Sequence, residues 1–284
     1  MVGLDAAGLD PVAKNRNGSE GLAEVFVAVR ARLGVVGLLL LLAGLAWWAS
    51  AKQMAGMDAG PGTDLGAVGW FVGVWVVMMA AMMFPSVAPT VALYARMTRR
   101  RSPVRPLLFT AGYLLVWSAV GLLSYGLFEL GKNWFGSQLA WNVDGRWVAA
   151  GVIAAAAVYE LTPLKNACLA RCRSPLGFLL GSWHEGSAGA VEMGSKHAAW
   201  CVGCCWALMA ALFALGVMSL VWMAVIAALI AAEKTIPWRR SVLWITTALL
   251  LALAAMVAVA PHAVPGLVVP GSASGGASAM GMTP

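Results

Sequence analysis

From Leu33 to Ala260 the chain runs through seven apolar stretches, and its ionised residues sit almost entirely between them. A helix needs roughly 20 mostly apolar residues to cross a hydrocarbon core, within a range of about 17–25. The stretches are Leu33–Ala51, Val68–Tyr94, Pro106–Leu130, Arg146–Leu161, Trp200–Leu215, Val217–Glu233 and Ser241–Ala260. Of the 284 residues, 61% are apolar and 11% charged, whereas a soluble domain carries roughly 25% charged and about 45–50% apolar residues. A soluble surface of this size needs more ionised groups to stay hydrated. The pattern predicts an all-α, polytopic transmembrane helical bundle of about seven spans.

The segment Trp200–Glu233 decides the count, because it holds 34 residues with no ionised group before Glu233. As one helix it would run about 51 Å, well beyond the hydrocarbon core. Two shorter helices turning near Gly216 fit better. With seven spans, 16 of the 19 basic residues fall on one side, and only Lys52, Lys132 and Arg146 fall on the other. Lys/Arg-rich loops stay cytoplasmic, which places the N-terminus inside and the C-terminus outside a cell (cytoplasmic) membrane. The net charge of +7 follows from these loops, so nucleic acid is not an expected partner; the lipid bilayer is.

The expected organisation is a polar cytoplasmic extension over 1–32, a transmembrane domain over 33–260, and a Gly/Ser-rich, uncharged extracytoplasmic tail over 261–284. The tail's composition predicts disorder. The N-terminal polar segment is too long for the start of a signal peptide and lacks a cleavage site, so the first stretch reads as an uncleaved helix. The loop 162–199 is the one long cytoplasmic connection. Within it Thr162-Pro163 suits an N-cap and first helical position, and Ser174-Pro175 a stop, which predicts a helix of about three turns over Pro163–Arg173.

All five cysteines fall between Cys168 and Cys205. Cys168 and Cys172 are four residues apart and share a helix face. On a helix that already includes His197 at 0°, Cys201 lies at about 40°, Cys204 at about −20° and Cys205 at about 80°. Four candidate ligands thus form one stripe at the expected membrane edge. A lone cysteine in a helix ordinarily fills space; a cluster of five points to metal. A disulfide is not expected, because the thiols are placed on the reducing side and their number is odd.

Met78, Met79, Met82 and Met83 form a second soft-donor group, covering an arc of about 140° on the second span. Thioether and thiolate together favour Cu(I) over harder ions, although a methionine stripe is also an ordinary packing element. Met209, Met218 and Met223 could extend it, and Met54, Met57, Met280 and Met282 lie outside the membrane. Glu160, Glu233 and Lys234 close the fourth and sixth spans, where side chains reach the interface. They suggest a Glu160–Lys234 or Glu233–Lys165 ion pair. No nucleophile–base–acid set, phosphate loop or zinc-protease motif is present, so no catalytic residue and no enzymatic reaction is assigned.

The motifs Met78-Met79-Ala80-Ala81-Met82-Met83-Phe84-Pro85, Thr162-Pro163-Leu164-Lys165-Asn166-Ala167-Cys168, and Cys172-Arg173-Ser174-Pro175 are distinctive. So are His197, Cys201-Val202-Gly203-Cys204-Cys205-Trp206-Ala207-Leu208-Met209, Gly216-Val217-Met218 and Glu233-Lys234. Together they resemble the bacterial predicted metal-binding integral membrane proteins, domain of unknown function family 2182. The resemblance spans Trp70 to Lys234 and implies a membrane location and a metal, but no reaction.

The leading expectation is a membrane protein that binds a soft metal, Cu(I), for metal handling or delivery. The site would lie between the second and fifth spans and the Cys168–Cys172 helix. Its ligands would be Cys168, Cys172, Cys201, Cys204 and Cys205, followed by His197 and Met78, Met79, Met82 and Met83. Its partners would be a metallochaperone or a metal-receiving membrane enzyme. Two alternatives stand beside it. One is a membrane thiol–disulfide redox protein using Cys201 and Cys204, which have the spacing of redox dithiols. The other is a structural membrane subunit without metal.

Overall fold

The computed structural model describes residues 34–54, 66–98, 102, 104–135, 145–216 and 219–264. The expected N-terminal extension and all but the first residues of the tail lie outside them. Among the described residues the structure is all-helical: α1 (Gly34–Met54), α2 (Val68–Thr98), α3 (Arg105–Phe135), α4 (Arg146–Glu160), α5 (Pro163–Cys172), α6 (Pro175–Gly181), α7 (Gly186–Leu215), α8 (Leu220–Thr235) and α9 (Arg239–Val259). A 3₁₀ turn, Pro261–Ala263, follows α9.

Among the described residues, each of the seven apolar stretches yields a helix. Five helices, α1, α2, α3, α7 and α9, are long and apolar enough to cross a membrane. The fourth stretch yields only 15 residues in α4, which bends by 69° into α5; taken as one broken span, that pair would raise the number to six. The sixth stretch gives the 16-residue α8, below the length expected of a full span. Between α7 and α8 the chain turns at Gly216, whose φ of 105° and ψ of 101° suit glycine. The 34-residue run is therefore broken where sequence length demanded it.

α7 starts at Gly186, 14 residues before the stretch that predicted it. Its first half is amphipathic, with Lys196 Nζ 2.7 Å from Glu192 Oε1 on an exposed face. The hydropathic boundary at Trp200 marked where charge ends, not where the helix begins. The region 162–199 is accordingly helical through α5, α6 and half of α7. The predicted helix there forms one residue short, as Pro163–Cys172, with Thr162 Oγ1 accepting from Lys165 N at 3.3 Å.

α2, α3 and α7 are 30 or 31 residues each, about 45 Å at 1.5 Å per residue. They outrun α4 and α8, and α5 and α6 pack around them where the short helices have ended, α5 on α7 and α6 on α2. α3 and α7 approach closely because each offers glycine at the crossing. A Cβ at Gly112 would meet the Val191 carbonyl, and one at Gly194 the Phe109 carbonyl. Pro85 has no N–H and leaves the Ala81 carbonyl of α2 without its helical donor. Trp47 Nε1 of α1 donates to that carbonyl at 3.2 Å. At the other end of α2, Trp75 packs on Phe71 and Phe213 and donates to Trp117 O at 2.8 Å.

The short helices are joined by buried charge. Lys165 Nζ pairs with Glu160 Oε2 and, at 2.8 Å, with Glu233 Oε2, all three side chains being 0–2% exposed. Of the two pairings suggested by sequence, Glu233–Lys165 forms, whereas Glu160 turns to Lys165 and not to Lys234. Glu160, Lys165 and Glu233 are enclosed by the helices. α5 folds back after the 69° bend and carries its ammonium between the ends of α4 and α8. Arg173 adds two hydrogen bonds to the end of α8, to Glu233 O at 2.5 Å and Ile236 O at 2.6 Å. Removing one member of a buried ion cluster leaves uncompensated charge behind. Lys165→Met should therefore cost about 3–5 kcal/mol, read as a lowered midpoint of unfolding in detergent.

Candidate metal centre

On α7, residues 201, 204 and 205 project to one side because each residue turns the helix by about 100°. Their three Sγ atoms lie within 4.8 Å of one another. Cys204 Sγ is 3.3 Å from Cys205 Sγ, and also 3.2 Å from the Cys201 carbonyl. α5 brings a fourth sulfur, Cys172 Sγ, to 3.7 Å from Cys204 Sγ. All four are buried, and all five cysteines of the chain are free thiols.

The fifth, Cys168, lies one turn earlier on α5 and is also buried, but its sulfur rests against Gly203 of α7. A Cβ at position 203 would sit 2.6 Å from that sulfur. The glycine inside the Cys-Val-Gly-Cys-Cys motif therefore sets how closely α5 approaches, and so whether Cys172 reaches its partners. Tyr159 of α4 donates its hydroxyl to the Gly203 carbonyl at 2.5 Å. Three helices are thus fixed at the central residue of the motif.

Cys201 has two polar neighbours from other helices. Tyr113 Oη of α3 lies 3.1 Å from its sulfur, and Lys234 Nζ of α8 donates to it at 3.1 Å. The same ammonium donates to Ser86 Oγ of α2 at 3.3 Å, and Ser86 in turn donates to Met83 O at 2.9 Å. The link between thiols and the methionine turn runs through this chain of polar groups. Met78, Met79, Met82 and Met83 are themselves buried, at 0–3% exposure, on α2. α2 packs against α3, α8 and α6.

His197 sits one turn before Cys201, 3% exposed, with Phe178 4.8 Å away and Phe109 and Tyr113 each at 6.1 Å between ring centroids. Its Nδ1 has no hydrogen-bond partner among the described residues. His184 is exposed, with Nδ1 3.0 Å from Ser182 O. Met209 and Met223 are core residues, and Met54 is buried at the end of α1. Met57, Met218, Met280 and Met282 lie outside the described residues.

Sequence reasoning missed Tyr113, Ser86 and Gly203, and expected Glu160 beside Lys234 where the structure has Cys201 and Ser86. Gly203 carried a signal, since a glycine one residue from Cys204 on a helix face leaves room for an approaching neighbour. Tyr113 and Ser86 carried none, because nothing local marks which face of α3 or α2 meets the thiols. Chemically, the convergent donors are sulfurs, without a carboxylate among them. Such a set suits a soft, thiophilic ion and not a hard one.

Residues 72–257 match the family described as PpoB2, copper chaperone. No curated protein and no solved structure matches the chain. The matched segment covers well over half of the 284 residues. It runs from the second residue turn of α2 to the last turn of α9, taking in the five cysteines, His197, the four methionines and the buried charges. The expectation of a metal-binding family holds at that level. With its thiol centre inside the matched region, the chain belongs to the PpoB2 copper chaperone family.

Proposed function

We propose that this chain is a multi-pass protein of the cytoplasmic membrane that takes up Cu(I) at its thiol centre and hands it to a metal-receiving partner. The observation that carries this reading is the convergence of four buried sulfurs, Cys172, Cys201, Cys204 and Cys205, from two helices. Cu(I) is the cargo, not a resident catalyst. Thiolates bind it strongly, and it accepts incoming sulfur ligands readily, so exchange between ligands transfers it without releasing a free ion. An enclosed site fits a cargo that must be kept from water and oxidants.

Cys201, Cys204, Cys205 and Cys172 are the first ligands in this reading. Cys168, one helical turn from Cys172, and His197, one turn from Cys201, stand next to them as exchange ligands. The Met78, Met79, Met82 and Met83 group would receive or supply the ion across the Ser86–Lys234 link. Taken as seven crossings, the seven apolar stretches put the excess of basic loop residues on the side of the thiol end, which orients it toward the cytoplasm, where a metallochaperone or a membrane enzyme awaiting copper is the fitting partner.

Elemental analysis of protein purified anaerobically tests the cargo. Wild type should carry stoichiometric copper after loading with Cu(I), and Cys201→Ser/Cys204→Ser should lose it; wild type that takes up no copper overturns the proposal. Because thiols must deprotonate to bind, apparent Cu(I) affinity should fall as pH drops, by about tenfold per pH unit for each proton displaced. A competition titration with a chromogenic Cu(I) chelator between pH 6 and 8 measures the slope. Sidedness has its own assay. A membrane-impermeant maleimide should label Lys196→Cys, an exposed position on α7, above the wild-type level in inverted vesicles, and such labelling in intact cells would reverse the orientation.

A further inference from the structure

A lysine that faces sulfur needs an explanation, because the ordinary partner of a part-buried ammonium is a carboxylate. Glu233 and Lys234 are neighbours at the end of α8, yet they serve opposite sides. Glu233 pairs with Lys165 of α5, while Lys234 turns toward α7 and α2. Among the described residues, no carboxylate lies within ion-pair distance of Lys234 Nζ. Its partners are Cys201 Sγ at 3.1 Å and Ser86 Oγ at 3.3 Å, a soft sulfur and a neutral hydroxyl. The carboxylates that might have neutralised it are both committed to Lys165.

The placement is not loose. Glu233, the residue before Lys234, is tied by its side chain to Lys165 and by its carbonyl to Arg173. Arg173 directly follows Cys172, a member of the thiol group. The end of α8 is therefore registered against the same short helix that delivers Cys172, which fixes where the Lys234 side chain starts. Tyr113, the other polar group at Cys201, is neutral and supplies no charge.

We infer that Lys234 is the charge-compensating, metal-selecting residue of the thiol centre. Its ammonium stands beside Cys201 as the positive charge that a thiolate cluster demands. This rests on the soft-metal reading of the cluster and deepens it. Cu(I) brings one positive charge, so a site of two or three thiolates around it retains one or two negative charges in a water-poor interior. A fixed ammonium offsets one of them. With the same number of thiolates, a divalent ion leaves one negative charge fewer and needs the lysine less. Lys234 thus favours a monovalent soft ion over Cd(II) or Zn(II), which thiolates also bind well.

The test is a comparison of two metals across two substitutions in full-length protein purified in detergent. Lys234→Met keeps the unbranched stem and removes the charge; Lys234→Arg keeps the charge. Cu(I) affinity, from chelator competition, should fall at least tenfold in Lys234→Met and recover in Lys234→Arg. Cd(II) affinity, followed by the thiolate-to-metal absorption band, should change by less than threefold in either. Equal losses for both metals, or no loss for either, overturn the inference, since a packing role would not discriminate by ionic charge. Should Lys234→Met fail to fold, Lys234→Gln and Lys234→Arg give the same contrast, and equal Cu(I)/Cd(II) ratios in those two would overturn it as well. Failure of wild type to bind Cu(I) at all would instead fall on the proposed function.

Discussion

Two carboxylates and one ammonium, buried together where two helices end and a third begins, organise the functional end of this protein. Glu160 closes α4, Glu233 closes α8, and Lys165 rises from α5 between them. Charges of this kind are costly to bury, and the cost is offset only when the partners are held in good geometry. That requirement forces α5 to bend back against the bundle after α4. Once bent back, α5 lies along α7, and Cys172 arrives beside Cys204. The ion cluster and the thiol cluster are consequences of one packing decision.

Glycine supplies the closeness that charge alone cannot. Gly112 and Gly194 let α3 and α7 approach until backbone meets backbone, which brings Tyr113 to Cys201. Gly203 admits Cys168 and thereby seats α5. In an apolar medium helices gain little from burying apolar side chains against one another, so close van der Waals contact and hydrogen bonding carry the association. The same medium explains the polar links seen here. Ala81 O, deprived of its helical donor by Pro85, takes one from Trp47.

The sulfurs of the thiol centre are shielded and come from two helices of unequal length, α5 and α7, so the set exists only while those helices stay packed. A polar path runs from Cys201 through Lys234 and Ser86 to the backbone carbonyl of Met83 on α2.

Much of this was written locally in the chain. Apolar runs of spanning length dictate helices, and the uncharged 34-residue run had to break, which it does at Gly216. Thr162-Pro163 and Ser174-Pro175 bound α5 because proline suits a first helical turn and no later one. The thiol stripe on α7 follows from residue spacing alone. What tertiary structure decided is which faces meet. The start of α7 lay hidden, since hydropathy marks the end of charge and not the start of hydrogen bonding. Cys172 and Cys168 looked equivalent, until the approach of α5 over Gly203 separated them. Lys234 read as a partner of Glu160, because no sequence pattern says that both nearby carboxylates are already held by Lys165. Local spacing sets the direction of a side chain on its own helix; only packing between helices sets what it touches.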